Sequence, residues 1–160
     1  MKIAVSACLL GENCKYNGGN NLNRAVLQYV SGHEVLPLCP ECLGGLPVPR
    51  PPAEIVNGTV QTAEGTSVNA AFRLGAARAL DAVRAAEAEL VILQPRSPSC
   101  GLGQVYDGSF TKTLIEGDGV FGALLRANGI PAVTSENLPD KPINGKCSSM
   151  GLPEDGFKCQ

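Results

Sequence analysis

The chain has no apolar run approaching the roughly 20 residues that a membrane-spanning helix requires. It also has no basic excess, with 13 Lys and Arg against 15 Asp and Glu and a net charge of -2. The first absence excludes a helical membrane span, and the second argues against a general nucleic-acid binder, which needs a basic face. The N-terminal stretch MKIAVSACLLGEN carries one lysine and an apolar run too short for a signal peptide, without a small-residue cleavage site. A cytoplasmic location is therefore expected. Histidine is scarce: His33 stands alone, and no second Cys-X-X-Cys pair accompanies Cys39 and Cys42, so a closed zinc site is short of its usual ligands.

What the chain does have is 7 cysteines in 160 residues. In a compartment that keeps thiols reduced, these indicate metal or redox chemistry rather than disulfides. The length and a hydrophobic content of 44% fit one globular domain able to bury a sizeable core.

The cysteines follow a pattern. Lys2 to Ser6, Val35 to Leu38 and Leu90 to Leu93 are short apolar runs of strand length, and each is followed by a loop that carries a cysteine: Cys8, Cys39 and Cys100. In LPLCPECLGGLPVPRPP, from Leu36 to Pro52, Pro40 ends the strand and leaves Cys39, Glu41 and Cys42 on the loop beyond it. Gly44 and Gly45 permit a tight turn close to a ligand, and Pro47 to Pro52 form an extended wall. Between the strands lie helical patterns: Arg24 to Ser31, closed by Gly32; a long helix capped by Thr66 or Ser67 and running to about Ala88; and Val120 to Asn128. Asn57-Gly58 suggests a hairpin, Asp107-Gly108 a turn, and Ile130 to Thr134 a fourth strand. Strands alternating with helices predict an α/β domain with a mostly parallel four-stranded sheet flanked by helices and right-handed crossovers.

In such a sheet the strands end on one edge, so Cys8, Cys39 and Cys100 are expected to converge where α/β folds bind ligands. Three thiolates together suit an iron-sulfur cluster, with one iron left open for a substrate atom. A zinc site, a thiol pair at Cys39 and Cys42, and plain buried cysteines remain as alternatives.

The motifs, taken together, resemble a bacterial family. Val5-Ser6-Ala7-Cys8-Leu9-Leu10-Gly11 with Cys14-Lys15-Tyr16-Asn17-Gly18, Cys39-Pro40-Glu41 with Gly44-Gly45-Leu46-Pro47, Arg50-Pro51-Pro52-Ala53-Glu54-Ile55 and Ser97-Pro98-Ser99-Cys100-Gly101 are similar to the thiouracil desulfidase family over roughly residues 1 to 136. The resemblance implies a single Rossmann-like domain at 1–136, and the residues after Glu136, polar and rich in Pro, Gly and Ser, read as a polar tail at 137–160. It also implies a 4Fe-4S cluster ligated by Cys8, Cys39 and Cys100, and catalytic roles for Glu41 and Ser97. The implied reaction is redox-neutral: thiocarbonyl sulfur binds the open iron, Glu41 deprotonates the attacking water, and a thiolated pyrimidine such as 2-thiouracil yields uracil and hydrogen sulfide. The partners implied are that small substrate and the iron-sulfur assembly machinery, with neither membrane nor nucleic acid. A contrasting function from another class is a non-enzymatic domain that binds zinc or carries a cluster.

Each site residue also has an ordinary structural role open to it. Glu41 can cap the turn after Pro40, Ser97 can be a turn residue, and Arg50 can hold a substrate carbonyl or, between prolines, simply be solvated. Cys14 and Cys42 can be alternative ligands or support, and His33 suits a surface or helix-dipole role. Gly117-Asp118-Gly119 can present N–H groups to a substrate oxygen or form a turn. Lys15 and Asn17 stand where the family frequently has arginine and aspartate, which leaves open which thiolated heterocycle is the substrate. Cys147 and Cys159 have no metal-site spacing.

Overall fold

The computed structural model describes residues 1–140. In chain order its elements are β1 (Lys2–Ser6), α1 (Arg24–Val30), β2 (Glu34–Leu38), α2 (Pro40–Leu43), β3 (Ala53–Val56), β4 (Thr59–Thr62), α3 (Asn69–Ala86), β5 (Leu90–Leu93), β6 (Gln104–Tyr106), β7 (Leu114–Glu116), α4 (Val120–Ala127) and β8 (Ala132–Thr134). Short 3-10 turns follow β1 and β8, at Ala7–Leu10 and Ser135–Asn137.

The four apolar strands form one all-parallel sheet in the order β2-β1-β5-β8, as expected, and two antiparallel hairpins, β3-β4 and β6-β7, lie outside it. Strand side chains alternate between faces, so each central strand feeds two cores. Ile3, Val5, Leu90 and Ile92 pack with Val26, Tyr29 and Val30 of α1 on one face. Ala4, Val91 and Leu93 pack with Ala76, Ala79, Leu80 and Val83 of α3 and with Phe121 and Leu125 of α4 on the other. Full burial of each large side chain in these layers contributes about 1.5–3 kcal/mol, which is what holds so short a set of strands together.

The start of α3 lies later than the pattern predicts. Thr66 and Ser67 are drawn into the β3-β4 hairpin, where Thr62 N donates to Thr66 O, Val68 N donates to Val60 O and Ser67 bridges Gln61. Ser67 Oγ still accepts from Asn69 N, but the helix proper begins at Asn69. The Asn57-Gly58 hairpin forms as expected, with both residues at positive φ (52° and 81°). The β6-β7 hairpin extends what the sequence marks only as a turn at Asp107-Gly108. Pro131 shortens the last strand at its start, since its nitrogen has no hydrogen to donate, while its carbonyl accepts from Val91 N.

A second correction concerns Pro40. It does end β2, but Pro40–Leu43 then forms a short helix instead of an open loop, with Cys39 at the N-cap and Glu41 in the first turn. Pro at the first helical position is favoured because its missing N–H would be unpaired there anyway. Gly44 serves this helix and not a ligand. A Cβ at Gly44 would collide with the Ala71 carbonyl of α3, and a Cβ at Gly75 would collide with the Pro40 carbonyl. The two glycines let α2 lie backbone to backbone on α3, which sets the height of Cys39 and Glu41 above the sheet edge.

Gly117-Asp118-Gly119 also differs from one of its two expectations. Val120 N donates to Pro98 O, and Phe121 N and Gly122 N donate to Ser99 O, so the first N–H groups of α4 hold the Ser97–Cys100 loop. They are not available to a substrate oxygen. Asp118 accepts from Gly103 N and from Arg126, and its hydrogen bond to Arg126 holds the carboxyl below its ordinary range. The expected tail at 137–160, with Cys147 and Cys159, lies outside the described residues from 141 onward.

Candidate active site

Because β1 lies between β2 and β5, the three strands that precede the cysteines are neighbours. Ser6 pairs with Leu38 and Val5 with Ile92, so the strands also end level. Cys8, Cys39 and Cys100 accordingly line a single cavity of about 580 Å³ at this edge, together with Cys14, Glu41, Arg50, Ser97 and Ser99. Among the described residues, no group of three His, Cys, Asp or Glu side chains is placed to hold a single metal ion.

Each thiol is set by its own loop. Cys8 sits in the 3-10 turn after β1, which Gly11 closes at φ 96°; its carbonyl accepts from Gly11 N and Asn21 N, and its sulfur from Asn21 Nδ2 at 3.5 Å. Cys39 directly follows β2 and accepts Leu43 N on its carbonyl. Cys100 is buried, 4% exposed, and its sulfur accepts from Ser6 Oγ at 3.3 Å. Ser6 Oγ in turn accepts from Gln94 N, so one buried hydroxyl ties β1 to the end of β5 and to this sulfur.

The thiols differ in acidity for physical reasons. Hydrogen bonding from the Cys14 thiol is the largest influence on both Cys39, lowered to about 6, and Cys8, lowered to about 7. Cys14 itself is pushed up by those same two bonds. Burial pushes Cys100 up to about 12 against the pull of Ser6 and Ser99, and burial raises Cys42 to about 11. Donors aimed at sulfur stabilise a thiolate or a metal-bound sulfur, so the donor set suits a group ligated by cysteine.

Beside the thiols is a closed polar network. Arg50 Nε and Nη2 reach Glu41 Oε1 at 3.0 and 2.8 Å, and Ser99 Oγ donates to Glu41 Oε2 at 2.9 Å. The Arg50 side chain is only 6% exposed. It is not the solvated arginine that its proline neighbours suggest, since Nη1 donates to Pro47 O, Nη2 to Cys14 O, and its backbone N to Tyr16 O. One guanidinium thus joins the Cys14 loop, the proline wall and the carboxylate of α2. Pro47, Pro51 and Pro52 do line the cavity, with a bend at Val48-Pro49.

This chain matches the model of the 2-thiouracil desulfurase family over residues 3–137. The chain belongs to that family. As a 2-thiouracil desulfurase family member it is an enzyme of the kind that removes sulfur from thiouracil. The uncharacterized protein YbbK of Bacillus subtilis (strain 168) is 38% identical over 148 residues, covering 86% of this chain and 98% of that protein. A solved structure of a [4Fe-4S]-dependent thiouracil desulfidase, TudS, aligns with a TM-score of 0.81 at 40% identity, covering 86% of this chain and 93% of that one.

Within this desulfurase fold Cys8, Cys14, Cys39, Cys100, Glu41, Arg50 and Ser97 line the cavity, whereas Cys42, His33, Gly44, Gly45 and Gly117-Asp118-Gly119 do not. The His33 pKa is lowered by burial and then by the N-terminal charge, against a hydrogen bond with the Met1 backbone, and among the described residues its Nδ1 has no hydrogen-bond partner. Ser97 Oγ accepts from Ser99 N and Cys100 N at 3.1 and 3.0 Å, which is the turn-forming role, and lies 3.0 Å from Ser99 Oγ. The residue that sequence reasoning passed over is Ser99, 3% exposed, which joins Ser97 to Glu41. Its only signal was its place between Pro98 and Cys100, and a serine there is most often a turn residue.

Proposed function

We propose that the protein hydrolyses the thiocarbonyl of a thiolated pyrimidine, 2-thiouracil or a close analogue, at a 4Fe-4S cluster held by Cys8, Cys39 and Cys100. The observation that carries this is the convergence of thiols from three adjacent parallel strands on one cavity that also holds a doubly fixed carboxylate. Family membership and the likeness to TudS support the substrate and the cofactor. When bound, such a cluster supplies an iron without a protein ligand, a soft Lewis acid matched to a thiocarbonyl sulfur.

The side chains supply the proton chemistry. Arg50 occupies Glu41 Oε1 and fixes the plane of the carboxylate, so Oε2 is the oxygen that takes a proton from the attacking water. Ser99 Oγ holds that oxygen in place at 2.9 Å. Ser97, whose Oγ already accepts from two backbone N–H groups, keeps its hydroxyl hydrogen to offer to Ser99 or to a ring nitrogen of the substrate. Thiouracil and water give uracil and hydrogen sulfide, and no electron is gained or lost. In the same reading the catalytic unit is residues 1–136 with a polar tail at 137–160, the compartment is the cytoplasm, and the iron-sulfur assembly machinery loads the cluster.

Sulfide and uracil should form in equal amounts from 2-thiouracil when protein reconstituted without oxygen is assayed with no reductant present. Product formation only with an added reductant, or none from cluster-loaded protein, would contradict hydrolysis.

A further inference from the structure

The stretch from Arg50 to Ile55 contains a second acid that the chemistry above leaves unused. Glu54, on β3, lines the same cavity as the cysteines. Its Oε1 accepts from Gly108 N at 3.0 Å and from Phe110 N at 3.1 Å, so one carboxylate oxygen fastens the loop between β6 and β7 to β3. Gly108, at φ 92°, is pressed against the end of β3: a Cβ there would stand 2.6 Å from Ile55 O.

The fastened loop is held in an unfavourable shape. Phe110 and Lys112 have φ of 60° and 63°, the left-handed region that a residue with a side chain rarely adopts. Such conformations persist only where their surroundings over-determine them, and they gather at ligand clamps. Phe110, half-buried, lines the cavity with Tyr106 and Lys112. A phenyl ring at the wall of a cavity that takes a planar heterocycle is a stacking surface.

We infer that Glu54 is a positioning residue for substrate recognition, holding the 107–113 loop so that Phe110 covers the planar ring of the thiolated heterocycle. This rests on the desulfuration reading, and the test separates the two. Amide exchange across 107–113 should be faster in Glu54→Ala than in the parent, and Glu54→Gln, which keeps an acceptor oxygen, should restore most of the protection. The KM for 2-thiouracil should rise about ten-fold in Glu54→Ala and in Phe110→Ala, with a smaller change in kcat, and Glu54→Gln should recover most of that loss. Unchanged exchange in Glu54→Ala would overturn the clamp. Faster exchange with an unchanged KM in both alanine variants would overturn the recognition role. Absence of sulfide release from the parent protein would instead sink the desulfuration reading, with the exchange result still standing.

Discussion

Glu41→Gln lowers kcat for 2-thiouracil by about 10²–10⁴-fold, the usual contribution of a positioned general base, while iron content stays close to that of the parent and the melting temperature falls less than in Glu41→Ala. Glutamine has the same length and keeps one acceptor oxygen, which can face Arg50 while its NH2 turns to Ser99 Oγ, but it cannot take a proton from water. Glu41→Ala should lose the same activity and stability as well. It strands the Arg50 guanidinium, 6% exposed, without its carboxylate, and removing one partner of a buried pair costs about 3–5 kcal/mol. Steady-state sulfide release, iron analysis and a thermal melt of the two variants separate the chemical role from the structural one. Full turnover in Glu41→Gln would remove Glu41 from the mechanism.

Gly75→Ala destabilises the protein by about 3 kcal/mol, the upper end of overpacking costs, which lowers the melting temperature by roughly 6–12 °C. The sign is what makes the prediction sharp. In an exposed helix interior the same change gains about 1 kcal/mol from helix propensity. Here a Cβ would meet the Pro40 carbonyl, a backbone atom that can retreat only if α2 lifts off α3. Cys39 and Glu41 move with α2, so iron retention and turnover should fall with stability. A variant as stable as the parent would mean that the α2-α3 contact does not set the site.

Much of this arrangement is legible in the sequence because the parallel sheet writes itself in short apolar runs. Lys2–Ser6 and Leu90–Leu93 match the observed strands residue for residue, and level strand ends follow from parallel pairing. Convergence of Cys8, Cys39 and Cys100 on one edge then needs no alignment to foresee. What escapes is contact between segments distant in sequence. Arg50 looks solvated among its prolines because its partners, Glu41 and the Cys14 carbonyl, reach it only through the fold. Ser99 looks like a turn residue because Glu41 lies 58 positions away. Gly44 suggests a ligand because no local signal announces a helix crossing at backbone distance. The 107–113 loop reads as a turn, since its shape is imposed by a carboxylate of another hairpin.

The cluster assignment is tested most directly by iron and acid-labile sulfide analysis on protein reconstituted without oxygen, comparing Cys8→Ser, Cys39→Ser and Cys100→Ser with Cys42→Ser, a cysteine that does not line the cavity. The account predicts about four irons and four sulfides per chain in the parent and in Cys42→Ser, and loss of both in each of the other three. Zinc without sulfide in the parent, or a cluster that survives any of the three substitutions and depends on Cys42, would contradict it.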